Sequence, residues 1–474
     1  MNPAEWAAHD PDPVTRAEVR GWIDSGDPLL RERFSGPLTF GTAGLRGPIG
    51  AGETAMNVAT VTRATAGVAA WLGAGARVVL GCDARHGSRA FYAVAAEVLS
   101  AAGIEVLALP PHLPTPVTAF AVRHLRADAG VMITASHNPA TDNGYKVYDA
   151  TGSQIIPPAD SQIAALIDAA DWADTIPRSR SLIREVTVVE EYLARAVSLI
   201  DAPSSQPVIV TTALHGVGGE LLARALRAAG FQRVHPVSEQ EQPDPDFPTV
   251  AFPNPEESGA LDLAFAHAER VGADLILALD PDADRCAVAV PGRQFTGDEI
   301  GAILGWEVAS RTESGVLACS NVSSRLLRKI AAHHGLDCVE TPTGFKWIAR
   351  VPDLIFGYEE ALGYCVDPEA VADKDGITAC LRVAEVASRS NLETRLDELG
   401  ELFGYHLTSQ VAVRVAAPQG EMRVSERGPD RIIVRPSGTE PKIKYYFEAV
   451  APTRAEAQER LTALRAAAPA PSSG

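Results

Sequence analysis

The chain has 474 residues, 46% hydrophobic but only 6% aromatic, so it can bury several cores built mainly from Ala, Val, Leu and Ile. Its 42 Lys and Arg against 60 Asp and Glu give a net charge of −18, which argues against nucleic acid or an anionic membrane as partner. No signal-peptide pattern opens the sequence, no apolar run approaches the ~18 residues needed to span a bilayer, and the six cysteines (82, 286, 319, 338, 365, 380) form no C-x-x-C. A cytoplasmic protein with reduced thiols is expected, and a small anionic substrate fits if a few Arg and Lys line a cleft.

At roughly 100–200 residues per domain, the length suggests three or four domains. In chain order, Phe40-Gly41-Thr42-Ala43-Gly44-Leu45-Arg46-Gly47 is a glycine-rich loop whose one cation, Arg46, could approach a phosphate. Arg77–Cys82 reads as a strand, Ser88–Ala102 as a helix and Ile104–Leu107 as the next strand, an alternation that predicts βαβ units and mostly parallel sheets. Gly130–Thr134 is a strand running into Thr134-Ala135-Ser136-His137-Asn138-Pro139. Ser136 therefore stands at the carboxyl end of a strand, where open α/β sheets place ligands. His137 and Lys146 are near it in sequence, and Pro139 and Asn143-Gly144 predict turns that expose it. A capping serine followed by a hairpin is the plain alternative.

A second unit follows the Pro/Ser break at 201–207, with a strand at Pro207–Thr211 and a helix at Gly219–Ala229. The Pro- and Asp-rich stretch Glu241–Glu257 reads as a long irregular loop and a candidate inter-domain surface. The strand Asp274–Leu279 ends in Asp280-Pro281-Asp282-Ala283-Asp284-Arg285. Three carboxylates at alternate positions after a buried strand repel one another, and a hard divalent cation relieves this. An EF-hand loop requires Gly at position six and Glu at position twelve, where Arg285 and Pro291 stand, so Mg²⁺ with a phosphate oxygen completing the shell fits better.

A third unit starts with a helix at Gly297–Ala309 and continues with strands at Val316–Cys319 and Leu354–Phe356. Thr343-Gly344-Phe345-Lys346 adds a cation, and Gly357-Tyr358-Glu359-Glu360-Ala361-Leu362-Gly363 offers two acids to sugar hydroxyls or, alternatively, to a helix start. From about Leu402 the pattern changes to alternating strands (Leu407–Val415, Arg431–Val434, Ile443–Phe447) and a final helix opened by Thr453 and Glu456 in capping-box spacing. Within it, Arg435-Pro436-Ser437-Gly438-Thr439-Glu440-Pro441-Lys442 combines a guanidinium fork with backbone N–H groups and hydroxyls, a nest for phosphate.

TASHNP, DPDADR, GYEEALG and RPSGTEPK, in this order over about 38–447, resemble the α-D-phosphohexomutase family of phosphoglucomutases and phosphomannomutases. GTAGLRG, TALHGVGG, PDPDFPTVAFPNPEE, TGFKWI, DKDGI and KIKYY resemble the branch holding phosphoglucomutase/phosphopentomutase-type enzymes. The resemblance implies three similar mixed-sheet α/β domains (1–187, 188–295, 296–401) and a small α+β domain (402–474) around a central cleft. It implies Ser136 as the phosphoserine, whose phosphoryl joins Asp280, Asp282 and Asp284 around Mg²⁺, and Lys146 as general acid/base; to serve as base Lys146 needs its pKa lowered, which burial beside Arg and Mg²⁺ would do. Arg46, His137 and Arg285 would serve the transferring phosphoryl and Glu359 the sugar hydroxyls, with Thr343, Gly344 and Lys346 beside it. Arg435, Ser437, Gly438, Thr439 and Lys442 would clamp the distal phosphate.

The implied activity is interconversion of a sugar 1-phosphate and 6-phosphate, glucose favoured, through a sugar bisphosphate such as glucose 1,6-bisphosphate, which also activates the enzyme. A pentose phosphate mutase, a phosphatase or bisphosphate synthase, and a non-catalytic sugar-phosphate sensor are the alternatives. Ala361 replaces the Ser that many relatives carry, and the last domain is short. A monomer or small homo-oligomer acting on a small-molecule sugar phosphate is expected.

Overall fold

The protein is described here by a computed structural model covering residues 1–39, 44–415, 421–436 and 442–467. Four sheets follow one another among the described residues. The first holds β1 (Leu45–Pro48), β2 (Arg77–Cys82), β3 (Glu105–Ala108), β4 (Ala129–Ile133), β5 (Asp142–Asp149) and β6 (Ile183–Glu185), in the order β1-β5-β4-β2-β3-β6. Strands β4, β2, β3 and β6 are parallel, and β5 runs antiparallel to both β4 and β1. The apolar runs of β2 and β4 are buried on both faces, as a helix-covered parallel sheet requires.

The second sheet holds β7 (Ile209–Thr212), β8 (Val234–Pro236), β9 (Leu275–Leu279), β10 (Cys286–Val290) and β11 (Arg293–Gln294), ordered β11-β10-β9-β7-β8. The third holds β12 (Val316–Ser320), β13 (Asp337–Thr341), β14 (Leu354–Glu359) and β15 (Gly363–Cys365), ordered β13-β12-β14-β15. A repeat that residue identities conceal is plain in this topology. Each of the three sheets carries a strand, then a loop at its carboxyl end, then an antiparallel return: β4–β5, β9–β10 and β14–β15. Those three loops carry Ser136, the aspartates and Glu360, with Glu359 at the strand end just before the last.

The fourth sheet, β16 (Tyr405–Arg414), β17 (Arg423–Arg427), β18 (Asp430–Pro436) and β19 (Lys442–Ala451), is antiparallel throughout in the order β16-β19-β18-β17. The helix Arg454–Ala466 packs across β16 and β19, burying Leu461 and Leu464 against Phe447 and Ala449. Thr453 Oγ1 accepts from Glu456 N at 3.3 Å, the cap its spacing predicts.

Asn143-Gly144, predicted as a turn, lies inside β5, paired with Gly47 and Arg46 of β1. The reason is packing. A Cβ on Gly144 would stand 2.5 Å from Thr134 O and 2.6 Å from Leu45 O, and the Asn143 amide donates to His86 O and Ser88 Oγ. The pair serves close approach of strands rather than chain reversal.

The helix Gly376–Arg389 crosses units. It packs on β15 but also on β9 and β10 and on the helices Val189–Ser198 and Gly219–Ala228. Asp375 caps it through Ile377 N and Thr378 N, and Gly376 N donates to Ala283 O at 3.1 Å. Any side chain at Gly376 would meet Arg285 O at 2.4 Å. This seats the DKDGI segment against the aspartate loop. All six cysteines are free thiols, and no helix of the described residues is long and apolar enough to cross a membrane.

Candidate active site

The serine loop is held by its backbone. Thr134 Oγ1 accepts from Ser136 N at 2.9 Å, and Ser136 takes a left-handed φ of +53°, a conformation that costs a non-glycine residue energy and turns its side chain out of the strand's course. Arg85 offsets that cost with four hydrogen bonds, to the carbonyls of Ser136 (2.6 Å), Asn138 (2.6 Å), Pro139 (2.8 Å) and Asp142 (3.2 Å). Sequence reasoning missed Arg85; its signal is the Asp83-Ala84-Arg85 segment just past β2, at the same sheet edge as Ser136.

Ser136 Oγ donates to Asp280 Oδ2 at 2.8 Å, and His137 Nδ1 lies 3.2 Å from Ser136 Oγ. Burial holds the His137 imidazole well below its ordinary pKa, with Arg285 and Arg46 adding repulsion. Arg46 Nη1 reaches Asn138 Oδ1 at 3.4 Å, bringing the cation of β1 to the serine loop.

The aspartate loop turns through Ala283 at φ +58° so that Asp280, Asp282 and Asp284 each offer an oxygen within 4.8 Å of the others, all buried. Thr115 Oγ1 donates to Asp282 Oδ2 at 2.6 Å, and Arg285 N to Asp280 Oδ1 at 3.0 Å. Lys146 Nζ donates to Asp282 Oδ2 at 2.7 Å and to Asp284 Oδ2 at 3.0 Å, and Lys374 Nζ stands 3.3 Å from Asp284 Oδ2. Asp282 Oδ1 and Asp284 Oδ1 are buried without a hydrogen-bond partner among the described residues. A desolvated, unmatched polar oxygen costs on the order of 1–3 kcal/mol, and more when it is charged. Two such oxygens beside a third carboxylate make an all-oxygen donor set suited to a hard divalent cation.

Burial, then Asp282 and Asp284, push the Asp280 carboxyl well up. Lys146 differs from the sequence expectation. Burial opposes its charge, as do Lys374 and Arg46, but Asp282 and Asp284, in direct hydrogen-bond contact with it, more than offset this and its pKa is raised. Lys374 was not singled out as a site residue. Its only sequence signal is a Lys between two Asp at a helix start, and only packing of that helix on the second sheet brings it to Asp284.

A second group lies on the third and fourth sheets. Glu359 Oε1 accepts from Gly344 N at 2.8 Å, while Glu360 Oε2 accepts from Ser320 Oγ at 2.8 Å. Burial pushes the Glu359 carboxyl up, and the charge of Lys374 pulls it back. The Arg435 guanidinium donates to Thr343 Oγ1. Lys346 is buried and turned to the Trp347 ring, 5.7 Å away, and Lys442 opens β19 opposite Arg414. Ser437, Gly438 and Thr439, like 40–43 of the glycine-rich loop, lie outside the described residues. Ser136, His137, Arg46, Lys146, Arg285 and the aspartates thus form one cluster, and Thr343, Gly344, Glu359 and Arg435 another. Lys374 stands between them.

Residues 37–174, 190–293 and 296–403 match the phosphoglucomutase/phosphomannomutase α/β/α domains I, II and III, and residues 370–466 match the C-terminal domain of that family. The chain belongs to the phosphoglucomutase/phosphomannomutase family. A Haemophilus influenzae relative named "Probable phosphomannomutase" is 41% identical over 450 residues, covering 83% of this chain and 93% of its own. A Mus musculus phosphopentomutase is 37% identical over 464 residues (86% and 74%), and a Homo sapiens glucose 1,6-bisphosphate synthase 35% over 458 (85% and 74%). A crystal structure of a candidate phosphomannomutase from Thermus thermophilus superposes with a TM-score of 0.77 at 27% identity, covering 91% of this chain and all of that one. The protein is accordingly an enzyme, an intramolecular phosphotransferase of the phosphohexomutase type.

Proposed function

We propose that this family member interconverts a hexose 1-phosphate and its 6-phosphate, with glucose phosphates preferred and mannose phosphates as further substrates. The domains would be 1–187, 188–295, 296–401 and 402–474. The observation that carries the reading is the 2.8 Å bond from Ser136 Oγ to Asp280 inside the buried acid cluster. It sets a nucleophilic oxygen against a cation site, which is what phosphoryl transfer needs.

Phosphoserine 136 passes its phosphoryl to a free hydroxyl of the bound sugar monophosphate. The Oγ–P bond breaks as the new O–P bond forms, and the hydroxyl proton leaves. The resulting bisphosphate turns round, and its other phosphoryl returns to Ser136. Mg²⁺ held by Asp280, Asp282 and Asp284 would spread phosphoryl charge as a Lewis acid. Arg46 and Arg285 hold the non-bridging oxygens. Lys146, a cation in these surroundings, supplies a proton to the oxygen that loses the phosphoryl, and must shed one before it takes the sugar's. Glu359, with Gly344 beside it, accepts from sugar hydroxyls. Arg435, with Thr343 and the Ser437-Gly438-Thr439 and Lys442 segment, keeps the distal phosphate bound during the turn. That distal clamp favours a mutase over a phosphatase, because hydrolysis needs no second phosphate site. Glucose 1,6-bisphosphate would charge Ser136 at the start, a role in keeping with relatives named glucose 1,6-bisphosphate synthase.

A pentose substrate is the second reading, favoured by 37% identity to relatives named phosphopentomutase. Steady-state kinetics on glucose, mannose and ribose 1-phosphates, with catalytic bisphosphate and Mg²⁺, tests both. Hexose preference is expected. A kcat/KM at least tenfold higher for the pentose, about 1.4 kcal/mol, overturns it. Phosphate release without isomerisation overturns the mutase reading.

A further inference from the structure

The loop 243–257 has no role in the scheme above, yet it touches three of its parts. Asp246 Oδ1 meets His86 Nε2 at 2.7 Å, and Phe247 lies under the Arg85 guanidinium at 5.0 Å, so the loop backs the residue that holds the serine loop. Phe252 meets the His137 ring edge-on at 6.2 Å. Glu256 then reaches the aspartate loop: its Oε2 lies 3.5 Å from Arg285 Nη1. Its other oxygen, Oε1, accepts from Gln410 Nε2 at 3.0 Å, and Gln410 belongs to β16 of the fourth sheet.

The backbone under Glu256 is pinned. Glu256 N donates to Asn254 Oδ1 at 3.1 Å, and Pro255 O accepts from Gln294 Nε2 at 2.9 Å. A crevice of about 240 Å³ lined by Glu256, Glu360, Leu362, Gln410 and Tyr446 lies beside the side chain. Arg285, in turn, has a buried Nε without a hydrogen-bond partner among the described residues. A carboxylate on a fixed backbone, gripped at one oxygen by one domain and pairing through the other with a cation of a second, couples their positions.

We propose that Glu256 is a positioning residue: through its two oxygens it ties Gln410 on the fourth sheet to Arg285 beside the phosphoryl site. This rests on the mutase reading. Capture of the distal phosphate by the Arg435 loop draws on the same sheet that carries Gln410. Seating of that sheet therefore sets the Arg285 guanidinium for transfer. The coupling favours turnover on a sugar phosphate over loss of the phosphoryl to water.

Two measurements test this. Guanidinium NMR on ¹⁵N-arginine protein, with the Arg285 signal assigned by Arg285→Lys, reads the restraint without catalysis. Slowed rotation at Arg285 is expected in the wild type and lost in both Glu256→Gln and Gln410→Ala; equal rotation in all three overturns the proposal. In kinetics, Glu256→Gln should lower kcat by roughly 10–100-fold with KM changed less than about threefold, and Gln410→Ala by roughly 3–10-fold. The double variant should be no worse than Glu256→Gln alone, as coupled residues behave. Glu256→Asp should recover part of kcat. Independent, multiplying losses, or a fall in melting temperature with kcat intact, overturns the proposal. A wild type that isomerises no sugar phosphate defeats the mutase reading, and the NMR result still decides the tie.

Discussion

Ser136 Oγ and Asp280 Oδ2 are joined by a 2.8 Å hydrogen bond across 144 residues of chain, from the end of one sheet to the end of the next. A serine hydroxyl is a weak nucleophile and a poor leaving group, and this contact sets it in the field of the acid cluster. Ser136→Ala is expected to lose the mass of one phosphoryl group and to lower kcat by several orders of magnitude. KM should change little, because Arg435 lies on another sheet. Intact-mass measurement with steady-state kinetics checks both, and near-normal turnover by Ser136→Ala removes the covalent mechanism.

The Oδ1 atoms of Asp282 and Asp284, unpartnered among the described residues, bear on the metal. Chelation should abolish turnover and Mg²⁺ restore it. Asp282→Asn keeps the shape and removes one charge, so it should lose Mg²⁺ affinity in titration calorimetry while its circular dichroism matches the wild type. Full activity in excess chelator contradicts the assignment.

Arg85 is 4% exposed and holds four carbonyls of the serine loop. Its Nε also stands 3.5 Å from the buried Asp83 Oδ2, so Arg85→Ala leaves those carbonyls and Asp83 without their cation, a loss of about 3–5 kcal/mol for a buried pair. Arg85→Lys should recover little, since one ammonium cannot span the fork's reach. Urea unfolding of the two variants measures this. A loss under about 1 kcal/mol for Arg85→Ala would show that the loop holds its shape unaided.

Glu448 on β19 fastens the fourth sheet to the third. It accepts from Ser324 Oγ and Arg325 N at 2.8 Å and Arg325 Nε at 2.7 Å, with His406 Nδ1 at 3.0 Å and Arg431 Nη2 at 3.2 Å. Burial alone would raise its pKa, but the His406 hydrogen bond and then Arg431 and Arg325 bring it down to about 2 from an ordinary 4.5. A carboxyl depressed in the folded state contributes stability that is fully present above pH 4.5 and lost as pH falls toward 2. The contribution is roughly 3 kcal/mol on the scale of about 1.36 per pKa unit. Urea midpoints followed from pH 6 to pH 3 should fall more steeply for the wild type than for Glu448→Gln. Parallel profiles would remove Glu448 as the acid-sensitive fastening.

Chemistry written into contiguous residues was legible without a structure. Asp280, Asp282 and Asp284 follow an apolar strand at alternate positions, so their convergence needs only one tight turn, and Ser136 follows β4 for the same reason. The alternation of apolar runs and Ala-rich stretches disclosed the order of the units, because side-chain periodicity is a local property. It did not disclose β5, since Asn143-Gly144 suits a turn by propensity and is a strand only because β1 and β4 close around it. Lys374, Arg85 and Glu256 reach the site from segments far from its motifs. Their distances depend on how the Gly376–Arg389 helix seats on β9 and β10 and how the 243–257 loop crosses to the first unit. The sign of the Lys146 shift was decided in the same way: burial was foreseeable from the sequence, but the 2.7 Å approach of Asp282 that outweighs it exists only once the second sheet's aspartate loop meets the first sheet.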